Sequence, residues 1–220
     1  MIVMSPATTL TPSGPQSESS VNDSRGEELT GIESALYFLG RRFSVGPKYL
    51  VHPAPSAAEL LQAACLALRA PDHGNLQPFR FVQICDHQRS RLGDLFAADA
   101  MNRGQNSTEI ERARARAGNG PTLLALIGKL RTDTPDIPVQ DQWLCIGAGL
   151  MNFLNGLHLL GYGAKTLSGA SVQSPEIQAA FCDEGETLLA WILAGTPVRK
   201  AHCKRIDDAM QIVTDWKILS

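Results

Sequence analysis

From Trp143 to Leu160 the chain runs for 18 residues without an Asp, Glu, Lys or Arg, and any fold it adopts has to put that run somewhere dry. Its length sits near the lower limit for crossing a bilayer. Asn152, Asn155 and His158 recur inside it at a spacing of three, which places one polar stripe along a helix. Gly147, Gly149 and Gly156 lower helix propensity but allow close approach of a neighbouring helix. These features predict a buried central helix, packed in the core and against a second subunit, instead of a membrane span. His158 is read first as a hydrogen-bonded core histidine and only second as a functional one.

Around this run, helical and extended patterns alternate. Thr122–Gly128 and Thr187–Pro197 are continuous apolar runs of strand length, and Phe79–Ile84 alternates as a strand does. Helical periodicity marks Leu29–Leu39, Ala57–Leu68 behind an N-cap at Ser56, His87–Ala98 and Ser107–Gly118. A short helix follows Ser174 and Pro175. Few, well-separated strands among helices predict an α+β domain of three layers, a central sheet with helices on both sides. With 220 residues, 44% of them hydrophobic, the chain suffices for one domain with a substantial core. Residues 1–28, rich in Ser, Thr, Pro and Gly, are expected to form a flexible tail, leaving 29–220 as the domain.

Charge and cysteine usage narrow the function. A net charge of −2 carries no basic excess, which argues against a nucleic-acid partner. The five cysteines are scattered, without a Cys-x-x-Cys pair for zinc or disulfide exchange, and fit a reducing cytoplasm. The start has no basic segment before an apolar one, so no secretory signal is read there, and Asp23 ahead of the first arginine, Arg25, speaks against a transit peptide. The Arg-rich stretch Ser107–Gly118 is read as a solvated helix face without chemistry.

The chemistry concentrates between Leu68 and Phe81. Arg69 is a permanent cation suited to a phosphate, His73 carries an imidazole that can donate or accept a hydrogen bond, and the amides of Asn75 and Gln77 match the edge of a heterocycle. Pro71 and Gly74 make the same stretch an ordinary helix-stopping turn. A dinucleotide fingerprint is absent: Gly161-x-Gly163 lacks the third glycine and follows a helix instead of opening one.

Arg69-Ala-Pro-Asp-His-Gly-Asn-Leu-Gln-Pro-Phe-Arg-Phe81 resembles the signature segment of the FMN-dependent nitroreductase family, in its compact single-domain branch. Shorter likenesses follow in Arg41-Arg42, Ile137–Gln142, the Gly161-Tyr162-Gly163 turn, Gly195-Thr196-Pro197 and Ile212–Trp216. The resemblance implies an intertwined homodimer with two flavins at its interface. It implies FMN as cofactor and NADH or NADPH as co-substrate, with nitroaromatics, quinones or similar acceptors reduced by two-electron ping-pong transfer. By the same resemblance Arg41, Arg42 and Ser44 belong to the phosphate site, usually reached across the dimer interface. Arg69, His73, Asn75, Gln77 and Gln142 belong to the flavin site, as do Thr166, Leu167 and Ser168, while Gly156–Gly161 lies near the nicotinamide. No side chain is assigned as a catalytic acid or base. Two departures stand out: Phe43 takes the place of the family serine, and Gln140 that of an aromatic. They motivate the alternative of a flavin-binding protein without reductase turnover. A hydrolase built on Asp72, His73 and Ser168 is disfavoured, since no Gly-x-Ser-x-Gly elbow is present.

Overall fold

Each strand of the sheet exposes alternate residues to two different helical layers, and the sequence supplies apolar side chains for both. The computed structural model describes residues 31–198 and 212–216. The chain divides into two units, residues 1–40 and 41–220. In the first, α1 (Gly31–Gly40) carries the periodicity expected for Leu29–Leu39, has no buried residue and ends at Gly40. The expected tail lies outside the described residues.

In the second unit, β1 (Leu50–Val51) and α2 (Ala57–Ala67) lead through the signature segment into β2 (Phe79–Gln83). Next come α3 (Asp86–Asn102), α4 (Ser107–Ala115), β3 (Thr122–Lys129), α5 (Val139–Leu159) and β4 (Gly163–Leu167). The last elements are α6 (Pro175–Phe181) and β5 (Glu186–Pro197). Strand β5 is central, pairing antiparallel with β3, β4 and β1, and β2 pairs antiparallel with β3. Because β3 and β4 both pair with residues 191–194 of β5, they flank it on opposite sides. The signature segment therefore feeds one edge of the sheet and β4 forms the other.

Period-two alternation splits the core. Leu123, Ala125 and Ile127 of β3 join Leu92 and Phe96 of α3 and Ile177 of α6 in one cluster. Leu124 and Leu126 join Leu60 and Ala63 of α2 and Phe153 and Leu157 of α5 in the other. The fold is thus three-layered α/β/α, as expected. Leu189 forms a bulge, since Leu126 faces Ala190 while Ile127 faces Leu188. Helix α2 opens on a capping box: Ser56 Oγ accepts the Glu59 N–H at 3.3 Å and Glu59 Oε2 accepts the Ser56 N–H at 2.8 Å. Such caps contribute about 1 kcal/mol. Glu59 also accepts the Tyr162 hydroxyl, which ties α2 to the approach to β4.

Helix α5 matches the predicted central helix but is not buried all round. Gly156 meets α2, where an added Cβ would lie 3.0 Å from Ala63 Cα, so here the glycine does admit a helix. Gly149 instead admits the Phe79 ring, whose Cζ would lie 2.4 Å from an added Cβ. Gly147 faces open space, and Trp143, Leu144, Met151 and Leu159 are exposed. Asn152, Asn155 and His158 are half-buried. Among the described residues no helix is long and apolar enough to cross a membrane. Of the cysteines described, Cys145 is buried, Cys182 half-buried, and Cys65 and Cys85 are exposed, all as free thiols.

Candidate functional site

At the end of α2 the backbone cannot continue into Pro71, and Asp72 takes over the turn. Its carboxylate accepts the N–H of Leu76 at 3.1 Å and of Gln77 at 2.8 Å, and its carbonyl accepts the N–H of Asn75. Within this clasp the backbone is left-handed three times, at Gly74 (φ 77), Asn75 (φ 51) and Gln77 (φ 46). For residues with a Cβ that conformation costs roughly 1–2 kcal/mol each. Gly74 also packs against the segment before α5, where an added Cβ would sit 2.3 Å from Ile137 Cδ1. The clasp holds out exposed side chains at Arg69, His73, Asn75 and Gln77. His73 Nδ1 lies 2.9 Å from Asp141 Oδ2, a charge-assisted contact between the turn and α5. Among the described residues no side chain engages Arg69 or the amides of Asn75 and Gln77.

Gln142 has a different part. It is buried, and both ends of its amide are used on Arg131: Oε1 accepts the backbone N–H at 2.7 Å and Nε2 donates to the carbonyl at 2.8 Å. It braces the 130–138 loop behind the turn.

A second group gathers at the opposite edge. The segment after α1 runs parallel to β4, with Ser44 bridged to Ala164 and the Val45 N–H donating to the Ala164 carbonyl at 3.0 Å. Phe43 and Val45 face the α3/α6 core, so Arg42 and Ser44 project to the other side. Phe43 therefore adds packing to that core, and the first hydroxyl after the two arginines is that of Ser44. Leu167 packs on the same core as Phe43, whereas the Thr166 hydroxyl is buried without a partner among the described residues. At the end of β4, Leu167, Ser168 and Gly169 form one wall of a cavity of about 260 Å³. Phe96, Trp191, Asp99, Arg103 and Arg116 provide the rest of its chemical character.

Strands β2 and β4 are three strand spacings apart across the sheet, roughly 14 Å at about 4.8 Å per step. One chain thus sets Ser44 beside Ala164 of β4, with Arg41 and Arg42 running toward the start of that strand and Thr166, Leu167 and Ser168 toward its end, and separately holds Arg69, His73, Asn75 and Gln77 along the signature turn, where His73 meets Asp141. The hydrolase arrangement is not formed: the Asp72 carboxylate serves the Leu76 and Gln77 amides, His73 turns to Asp141, and Ser168 lies at the far edge. Arg116, Asp99 and Arg103 were not legible as site residues. The stretch around Arg116 reads as a solvated face, and only the sheet register carries that residue to the end of β4.

A model of the nitroreductase family matches residues 39–196. The chain belongs to that family. Over 167 residues it is 28% identical to the Escherichia coli protein named "Putative NAD(P)H nitroreductase YdjA", an alignment covering 75% of this chain and 91% of the relative. A nitroreductase-like family protein from Bacillus cereus superposes with a TM-score of 0.68 over 86% of this chain and 99% of its own, at 17% identity. A mutant of the FMN and NADPH-dependent nitroreductase NfnB from a sphigopyxis strain superposes with a TM-score of 0.62 over 84% and 99%, at 19% identity. The two superpositions establish the nitroreductase fold, and the family match extends through the signature segment, β4 and all but the last residue of β5.

Proposed function

We propose that this nitroreductase-family chain is an FMN-dependent oxidoreductase that uses NADH or NADPH to reduce nitroaromatic, quinone or similar electron-poor acceptors, acting as a homodimer in the cytoplasm. The observation that carries the proposal is the division of the candidate contacts between two sheet edges. A two-fold axis that brings the signature turn of one chain to the β4 edge of its partner completes one flavin site from two halves, twice per dimer. The exposed apolar residues of α2 and α5, Leu61, Leu66, Leu144 and Met151 among them, supply a surface for that association.

The residues present fit FMN. The Thr166 hydroxyl, buried without a partner among the described residues, offers a polar group on the sheet face to which Arg42 and Ser44 project, and Ser168 follows past the end of β4. Arg42, with no carboxylate partner among the described residues, suits the phosphate together with Arg41 and Ser44. Arg69, His73, Asn75 and Gln77 present donors and amides to the ring from the partner's turn. When bound, FMN supplies two-electron transfer between the nicotinamide and the acceptor, and the protein supplies position and charge. Asp141 fixes one ring nitrogen of His73 and leaves the other for a ligand.

The test is the visible spectrum of the purified protein under anaerobic conditions, before and after NADPH and then NADH. A yellow protein that bleaches supports the proposal and identifies the donor. A yellow protein that bleaches with neither supports flavin binding without turnover, the reading that the displaced hydroxyl at Phe43 and the missing aromatic at Gln140 favour. A protein that stays colourless after incubation with FMN refutes both.

A further inference from the structure

The α3/α6 side of the sheet is filled except at one place. Phe96 of α3, Leu123 of β3 and Trp191 and Leu193 of β5 belong to that core, but where they approach the ends of α3, α4 and β4 they leave a cavity of about 260 Å³. Arg42 and Ser44 project to the other side of the sheet, so only the turn at Leu167 and Ser168 is common to this cavity and the candidate flavin contacts. What the cavity holds is therefore a separate question from flavin binding.

Its floor is aromatic. Phe96 and Trp191 meet edge to face at 5.3 Å, and the indole N–H of Trp191 already donates to Ser171 Oγ at 3.1 Å, so the ring offers the cavity apolar surface and no polar edge. Three charged side chains line the same space, Asp99, Arg103 and Arg116. Arg103 donates from Nε at 3.1 Å and from Nη2 at 2.7 Å to Asp99 Oδ2, and the two charges cancel. Arg116, exposed at the end of α4, has no carboxylate partner among the described residues. One carboxylate against two guanidinium groups leaves the lining with a single net positive charge beside an apolar floor. Water finds few partners on such walls. Pockets that take small molecules combine apolar linings with a few placed polar groups, and 260 Å³ falls just below the roughly 300–1,000 Å³ typical for drug-sized ligands, which limits the occupant to a small ring.

We propose that this cavity is a second ligand site, for a small aromatic monocarboxylate of the benzoate class. The ring lies against Phe96 and Trp191, and the carboxylate accepts hydrogen bonds from Arg116, whose planar fork of donors matches its two oxygens. One carboxylate answers the one unmatched charge of the lining. The Asp99–Arg103 pair keeps its own charges occupied and forms a neutral wall between α3 and the ligand.

The full-length protein, isotopically labelled at its tryptophans, is titrated with sodium benzoate, with benzamide and with sodium acetate, and the indole N–H resonances are followed by NMR. Benzoate shifts the Trp191 resonance saturably, with a Kd of about 1 mM or tighter, and leaves those of the exposed Trp143 and Trp216 in place. Benzamide keeps the ring without the charge and binds about tenfold more weakly or worse, the worth of one hydrogen bond to a charged group. Acetate keeps the charge without the ring and gives no saturable shift. Arg116→Met, a substitution at an exposed position, unfolds at the wild-type temperature, loses about tenfold or more in benzoate affinity and holds its benzamide affinity within about twofold. A Trp191 resonance that benzoate does not move overturns the inference, as does equal affinity for benzoate and benzamide, or an Arg116→Met variant that binds benzoate as the wild type does. None of these measurements involves a flavin, so their failure leaves the proposed oxidoreductase standing, and a protein that binds no FMN leaves this site standing.

Discussion

Asp72→Ala separates the strength of the signature turn from its shape. The carboxylate holds two backbone N–H groups, and bonds of this exposed kind contribute about 1 kcal/mol each, about 2 kcal/mol together. Against this stands the left-handed backbone at Asn75 and Gln77, which stores about 2–4 kcal/mol, with Asn at the cheaper end. The two quantities nearly cancel, so the variant relaxes instead of unfolding. Its Tm is expected to fall by only a few degrees. Hydrogen exchange at the Leu76 and Gln77 amides should accelerate roughly 30-fold, the equivalent of about 2 kcal/mol of local protection. FMN affinity should fall at least about tenfold, because His73, Asn75 and Gln77 lose their common placement. A variant with unchanged exchange at those two amides and unchanged FMN affinity would refute the idea that the clasp shapes the site. A large loss of Tm with FMN affinity intact would show that Asp72 serves the fold and not the ligand.

Three further outcomes are expected. Arg42→Ala together with Arg69→Ala should leave a folded dimer with much weaker FMN affinity, measured by flavin retention on gel filtration, and unchanged occupancy removes both residues from the site. The side chain of Glu186 is only 7% exposed, and the bidentate hydrogen bonds from Arg80 hold its carboxyl down at about 2. A depressed carboxyl stabilises the fold above its ordinary value of 4.5, so up to about 3 kcal/mol should be lost as pH falls from 4.5 towards 2, and in Arg80→Met denaturant titrations should show this acid loss vanish or invert. Gly149→Ala forces a Cβ into the Phe79 ring and should cost about 1–3 kcal/mol, a fall in Tm of roughly 3–10 °C by calorimetry; an unchanged Tm means the ring and helix separate freely.

Much of the architecture was legible in the residues because periodicity is local. The alternation in β2, the apolar runs of β3 and β5, the Ser56 cap of α2 and the charge-free run of α5 each report on a neighbourhood of a few residues. Helix α3 extends past the expected end at Ala98 because Ala100 continues the buried stripe of Leu92 and Phe96. The signature turn could be located, and its candidate donors named, from residue types alone.

What the sequence by itself determined was which elements form and which polar groups gather at the turn after α2. Only the tertiary structure decided where those groups stand relative to one another. Strand β5 takes β3 on one side and β4 on the other, and this pairing between residues far apart in the chain sends the signature turn and the β4 contacts to opposite edges. It also turns Gln142 inward as a brace and brings Asp99, Arg103 and Arg116 beside Leu167 and Ser168. No local pattern marks these residues, because their proximity follows from strand order and register, which are set by burying both faces of one sheet at once.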